Sequence, residues 1–548
     1  MPADAASTDM LSRIAASAAR FPRRAAHVSP DGTLTYAELM ARSAALARHL
    51  AAQPSLAPVL VYGHKEPAMP VAFLACARSG RAYVPADAGW PPDRVARIAR
   101  LAGARVCVAA RPLPEELAAH LATAGIVPLP LRPGGEAAGP EAGRPPAEAP
   151  PGPPAPVGAP EPAYIIFTSG STGDPKGVPI PWGALAHFAG WLLAEQAPEP
   201  GAEVVLNQAP FSFDLSVMDL YLSLLSGGTL FSVTSEMIAS PRDLFAGLAA
   251  SGVSTWVSTP SFARFCLAEP RFSPALLPRL RRFLFCGETL PPAILHGLAD
   301  RFPGAAVWNT YGPTETTVAV TSVRLDPGGA RTDDPLPVGR PAPGMRVFVA
   351  GPDLSPLTEG QTGEIVIGGP QVSPGYLAPS PETGAVPPPP DRFVALPPEL
   401  GGGRAYRTGD AGRLAGGLLY CDGRLDRQIK LHGYRLELDE IEAHLRALPG
   451  VADAAVLPVP RGGAPEYLVA FVHPADIPPA GTAAAGVTGA APPPPAGATE
   501  FQRAQDLRRA LLRSLPAYAV PRVVRFVAAL PLTGNGKIDR RRLEELLG

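Results

Sequence analysis

The sequence predicts an α/β protein: a large N-terminal domain of layered α/β sheets with a small barrel-like subdomain, then a small α+β C-terminal domain. Three observations predict it. Short apolar runs alternate with helix-periodic stretches over the first 308 residues or so. From about Pro335, short strand-like runs are separated by Gly and Pro turns. Near Asp426, a polar junction leads into a fresh set of helix and strand patterns. Alternation of the first kind argues parallel sheets covered by helices. A chain of 548 residues also exceeds what one core needs. The expected division is 1–425 and 426–548.

Taken in order, Thr35 is the expected N-cap of a helix running toward Leu50. Val59–Tyr62 reads as a buried strand, Pro70–Arg78 as a helix and Arg81–Pro85 as a strand. Leu131–Pro162 is crowded with Pro and Gly and reads as a disordered or extended connector. Tyr164–Phe167 is short, aromatic and β-branched, as a buried strand is. Helices are expected over Ala184–Glu195 and Asp214–Leu225. Strands are expected at Val204–Gln208, Leu230–Val233, Thr255–Ser258, Arg282–Cys286 and Ala306–Trp308. Met345–Ala350 and Gly363–Ile367 belong to the barrel or antiparallel sheet, and Pro379–Gly403 reads as a surface loop. In the second domain, Leu436–Leu448 and Ala504–Leu515 read as helical, Val451–Val459 and Ala464–Phe471 as strands. Pro474–Thr499 reads as a disordered insertion.

Bulk composition excludes several function classes. Forty-eight basic and 49 acidic residues leave a net charge of −1, without the basic footprint of a nucleic-acid binder. The five cysteines are scattered without a CxxC pair, which suits reduced thiols in a cytoplasmic protein. Met1–Arg20 lacks the apolar core of a signal peptide, and no run is long enough for membrane insertion. Arg is common, yet Lys occurs only at positions 65, 176, 430 and 537. A Lys retained among so many Arg suggests a place that a planar fork cannot fill.

The loop Thr168–Val178 follows the Tyr164–Phe167 strand. Its glycines allow a tight turn with N–H groups aimed inward; Thr168, Ser169, Ser171 and Thr172 add hydroxyls, and Lys176 adds charge. This is a phosphate cradle rather than a linker, since a linker lacks the flanking strand and the lone Lys. It is not a Walker loop, because Gly177 follows Lys176.

Four further stretches carry chemistry. Asp214 lies among apolar residues, where it either caps the helix that follows or faces an ammonium group; local sequence favours the cap. Asn309–Thr317 offers Tyr311 to stack on a base, hydroxyls for phosphate and Glu315 for Mg²⁺, though an ordinary Gly-Pro turn has the same composition. Asp410 can take two ribose hydroxyls. Gly423–Lys430 suits a hinge, and Lys537 stands on a Gly-Asn-Gly turn from which it can reach a carboxylate and a phosphoryl group together.

In this order the motifs resemble the adenylate-forming superfamily of acyl- and aminoacyl-activating ligases, from about Leu34 to Leu547. The strings Asn207–Tyr221, Thr255–Phe262, Phe283–Glu288, Asn309–Val320 and Gln428–Glu442 resemble the D-alanine–D-alanyl carrier protein ligases within it. The resemblance implies the adenylation fold with a mobile C-terminal domain turning at a hinge, Asp426. It implies ATP and Mg²⁺ as cofactors. The implied partners are D-alanine and a phosphopantetheinylated carrier protein, as in teichoic acid D-alanylation, acted on by a monomer. Thr168, Ser169, Gly170, Ser171, Thr172, Gly173 and Lys176 are implied to embrace the ATP phosphates. Asn309, Tyr311, Gly312, Thr314, Asp410 and Arg424 are implied to hold the nucleoside, Glu315 the metal and Lys537 the reacting carboxylate and α-phosphate. Catalysis is implied to fall to Lys537, Glu315 and Thr168. Asp214 is implied to bind the amino acid's ammonium, which reverses the local preference for a cap. Leu215, Cys286, Gly312 and Val318 are implied to limit the pocket. The competing readings are a stand-alone adenylating enzyme for another small amino acid in natural product biosynthesis, an acyl-CoA synthetase, and an inactive nucleotide-binding scaffold.

Overall fold

The computed structural model describes residues 6–132, 135, 160–170, 174–326, 334–378, 392–461, 464–475, 499–533 and 538–547. The chain divides into two compact units. The larger comprises Met1–Ala88, Ile98–Phe167 and Gly177–Leu425; the smaller comprises Gly89–Arg97, Thr168–Lys176 and Asp426–Gly548.

Two mainly parallel sheets dominate the larger unit. In the six-stranded one the order is Val127–Pro130, Val106–Ala109, Val59–Gly63, Tyr83–Asp87, Pro162–Thr168 and Lys176–Pro181. Val59, Leu60, Val61 and Tyr62 are all buried, so both faces of this strand are covered, which explains an apolar run without alternation. The nine-stranded sheet runs Arg340–Pro341, Thr321–Leu325, Ala306–Tyr311, Arg282–Phe285, Thr255–Ser258, Val204–Asn207, Thr229–Ser232, Ala25–Ser29 and Gly32–Thr35. Its centre is parallel, and antiparallel strands close both edges. Thr35 caps the helix Tyr36–Ala51 in a full capping box with Glu38. The helix Leu215–Ser226 is buried along its whole length.

A five-stranded antiparallel sheet follows, built from Arg346–Ala350, Gly363–Gly368, Arg404–Ala415, Phe393–Ala395 and Leu418–Arg424. The stretch expected as one surface loop to Gly403 therefore contains a strand. Phe393 anchors it, with its ring centre 5.2 Å from that of Tyr376 and 4.9 Å from that of Tyr406.

In the smaller unit, the hairpin Gln428–Leu431 and Tyr434–Glu437 leads into the helix Leu438–Arg446. Val451–Arg461, Ala464–Pro474 and Val523–Phe526 form a three-stranded sheet. The helix expected over Ala504–Leu515 begins earlier, at Glu500, because Thr499 and Gln502 form a capping box there. Glu442 is buried and gathers Arg427 and Arg540, which hold its carboxyl below the usual carboxylate range despite burial. Among the described residues, no helix is long and apolar enough to cross a membrane.

Candidate active site

The strand Ala306–Tyr311 delivers Asn309 and Tyr311 to the end of the nine-stranded sheet. Tyr311 donates its hydroxyl to Oδ2 of Asp410 at 2.6 Å. Arg424 donates to Oδ1 of the same carboxylate at 2.9 Å and to the Thr408 carbonyl at 3.1 Å. The sheet explains the meeting, since Asp410 and Arg424 are register partners on adjacent strands. Asp410 is only 4% exposed, and the cation beside it makes a buried carboxylate tolerable. Burial and the neighbouring Asp410 push the Tyr311 phenol well above its ordinary pKa, so it remains a donor.

Asn309 gives its amide N–H to the Pro337 carbonyl at 2.8 Å, while its buried Oδ1 has no partner among the described residues. A buried acceptor left open is costly unless a ligand or an ordered water supplies the donor.

Beyond Gly312 the chain makes a 3₁₀ turn, Thr314–Thr316. Glu315 is fully buried, and its Oε1 accepts from the Tyr376 hydroxyl at 2.8 Å. A buried oxygen donor of this kind fits a hard cation such as Mg²⁺. Thr317 and Val318 then take φ of 63° and 67°. Two β-branched residues in the left-handed region store strain of about 1–3 kcal/mol each. Gln371 clamps the turn. With its amide turned to satisfy both ends, it donates to the Ala319 and Thr316 carbonyls at 2.9 and 3.3 Å and accepts from His187 Nδ1 at 2.9 Å. The Gln371 carbonyl also accepts from Thr317 Oγ1 at 2.8 Å.

The strained turn packs against Cys286. Val318 offers its carbonyl to the Cys286 thiol at 3.6 Å. Leu215, Cys286 and Val318 lie in one continuous apolar cluster. Gly312 is required by this packing, because a Cβ there would meet the Ala319 Cα at 2.7 Å and the Val318 oxygen at 3.0 Å.

Asp214 stands immediately before the helix Leu215–Ser226 with φ −65° and ψ −24°, and its side chain makes no cap hydrogen bond. Capping needs extended backbone angles at this position, so the local expectation of a cap is corrected. Its carboxylate is half-buried and helps raise the Tyr164 phenol far above its usual pKa, although burial is the larger cause.

In the smaller unit, Gly170 admits no side chain, because the Asp174 carbonyl oxygen occupies the place of its Cβ. Ser169 donates to the Arg435 carbonyl at 3.1 Å, and Lys176 lies 3.8 Å from Glu437. Thr168 Oγ1 is buried with no partner among the described residues. Arg97 clamps Asp174 through two bonds of 2.9 Å. Asp426 accepts from the Gln428 N–H at 3.1 Å in a side-chain turn. Ser171, Thr172, Gly173 and Lys537 lie outside the described residues.

Tyr376, Gln371 and His187 were not singled out by sequence. The Pro-Gly-Tyr turn ending at Tyr376 is the one local signal that could have marked any of them.

Comparison with known proteins gives consistent results. A family model described as AMP-binding enzyme matches residues 14–377, and one described as AMP-binding enzyme C-terminal domain matches residues 440–537. A Bacillus cytotoxicus protein named D-alanine–D-alanyl carrier protein ligase is 41% identical over 97% of this chain and 98% of its own length. A Bacillus cereus protein of that name is also 41% identical with the same coverage. Among solved structures, holo-PA1221, a nonribosomal peptide synthetase protein containing adenylation and carrier domains, matches 98% of this chain and 84% of its own with TM-score 0.75 and 26% identity. The amide bond synthetase McbA from Marinactinospora thermotolerans, 23% identical, shares the fold over 98% of this chain and 99% of its own with TM-score 0.78.

Proposed function

The chain belongs to the AMP-binding enzymes and, within them, to the D-alanine–D-alanyl carrier protein ligases, and from that premise we propose that it activates D-alanine as D-alanyl-AMP and transfers it to the phosphopantetheine thiol of a carrier protein. The observation that carries the reading is the 41% identity, over 97% of the chain, to ligases of that name. Those relatives do not favour the natural-product alternative.

The geometry supports the reading residue by residue. The open Asn309 Oδ1 suits the exocyclic amine of adenine, beside the ring of Tyr311. Asp410, held by Tyr311 and Arg424, keeps lone pairs for ribose hydroxyls. Asp214, spared from capping, is suited to the substrate ammonium. Leu215, Cys286, Gly312 and Val318 limit the room beside the α-carbon. In the smaller unit, the open hydroxyl of Thr168 suits a phosphate oxygen, and the same reading gives the remaining phosphate contacts to Ser169, Gly170, Ser171, Thr172, Gly173 and Lys176. Glu315 and Thr314 would hold Mg²⁺ and phosphate, and bound Mg²⁺ supplies positive charge against the phosphate oxygens.

In the first half-reaction, a carboxylate oxygen of D-alanine attacks the α-phosphorus. An O–P bond forms, the bond to the β-phosphate oxygen breaks, and pyrophosphate leaves. Lys537 neutralises charge on the carboxylate and α-phosphate as this happens. In the second, the carrier thiol gives its proton to water and its sulfur attacks the carbonyl. A C–S bond forms, the C–O bond to AMP breaks, and AMP leaves. Asp426 is the hinge between the two, and Lys430 and Gly433 serve the second. The enzyme acts as a monomer in the cytoplasm.

Loading tests the proposal. Incubation with ATP, D-alanine and a phosphopantetheinylated carrier should add one alanyl group to the carrier by mass. A carrier that stays unloaded with D-alanine but accepts another amino acid would contradict it.

A further inference from the structure

Lys65 follows the strand Val59–Gly63 of the six-stranded sheet and is fully buried. Its Nζ donates to Oδ1 of Asn207 and to the carbonyl of Ala209, and lies 4.7 Å from the ring centre of Phe211. All three partners lie in the segment that leads from the strand Val204–Asn207, in the other sheet, to Asp214.

The buried charge is answered within the same neighbourhood. Asp219, fully buried on the helix that Asp214 precedes, accepts from Asn207 Nδ2 at 3.0 Å on each oxygen. Asn207 Nδ2 also reaches the Ala209 carbonyl at 3.1 Å. Ser232, the register partner of Asn207, donates to its Oδ1 at 2.7 Å and meets His27 Nε2 at 2.9 Å. Every polar atom of the Asn207 side chain is thus engaged.

Such a network adds little stability over well-packed apolar residues of the same volume. What it adds is a fixed position. The ammonium holds the segment at three points, and Asn207 ties the arrangement to the helix after Asp214 through Asp219. A compact cation fits between two acceptors and a ring, whereas a planar guanidinium does not. That accounts for one of the rare lysines in a chain rich in Arg.

We propose that Lys65 is a positioning residue of the amino-acid site, setting the place of the Asp214 carboxylate through Asn207, Ala209 and Phe211. This rests on the reading that Asp214 binds the substrate ammonium. Methionine at position 65 with asparagine at 219 removes both charges while keeping volume. In ATP–pyrophosphate exchange, Lys65→Met/Asp219→Asn should raise the KM for D-alanine about tenfold or more, with the KM for ATP within about twofold. A D-alanine KM within about twofold of the parent, or an equal rise in both constants, overturns the proposal. If the double variant shows no thermal unfolding transition, Ser232→Ala decides: a rise of about two- to fivefold supports it and an unchanged KM overturns it. Asp214→Asn separates the two ideas. If it leaves the D-alanine KM unchanged, the underlying reading fails; if it raises that KM while the Lys65 variant does not, only the role of Lys65 fails.

Discussion

Tyr311 and Asp410, 99 residues apart, share a 2.6 Å hydrogen bond inside a site where Asp410 is 4% exposed. The phenol fixes one carboxylate oxygen while Arg424 fixes the other. Both oxygens of the acid are thereby held in place.

Tyr311→Phe should therefore weaken ATP binding. Losing a hydrogen bond to a charged group costs about 2 kcal/mol, so the KM for ATP should rise about tenfold or more. The KM for D-alanine should stay within about twofold. Exchange kinetics with each substrate varied would show it.

Cys286→Ala should loosen stereochemical choice. The thiol is buried against the Val318 carbonyl, and its loss leaves room beside the strained turn. The ratio of kcat/KM for D- over L-alanine should fall about fivefold or more, with a stability loss of about 1 kcal/mol measured by denaturant unfolding. An unchanged ratio would remove Cys286 from the specificity wall.

How much of this was legible in the sequence depends on distance along the chain. Thr35 was legible as an N-cap from residue type and the apolar period behind it, whereas the Glu38 half of the capping box came only with the structure. The apolar runs at Val59–Tyr62 and Tyr164–Phe167 announced buried strands, because parallel sheets covered on both faces leave no alternation. Asp214 misled local reasoning, because residue type suggests a cap while the backbone angles that forbid it cannot be read from type. The strand at Phe393 was hidden by neighbouring prolines, and its reason lies in contacts to Tyr376 and Tyr406. The scarcity of Lys marked Lys65, but its partner Asn207 lies 142 residues away, and no local pattern reaches that far.

Lys537→Ala should abolish adenylation while largely sparing transfer from preformed D-alanyl-AMP to the carrier. Single-turnover assays of the two half-reactions would separate them. Equal loss of both would refute the division of labour between Lys537 and the Lys430–Gly433 segment.

Acid should destabilise the larger unit through His27. Burial, helped by Lys65, pushes its pKa from 6.5 to about 3. The unfolded chain then binds a proton between those values that the folded chain refuses. The contribution of His27 is complete above pH 6.5 and is lost as pH falls below it. The loss from this group should reach about 2 kcal/mol at about pH 5. Denaturant unfolding at pH 8 and pH 5 should show that slope reduced in His27→Gln.

The most direct test is ATP–pyrophosphate exchange across D-alanine, L-alanine, glycine, serine and β-alanine. The account predicts ATP-dependent exchange with the highest kcat/KM for D-alanine. Exchange with no preference for D-alanine, or none with any amino acid, would contradict it.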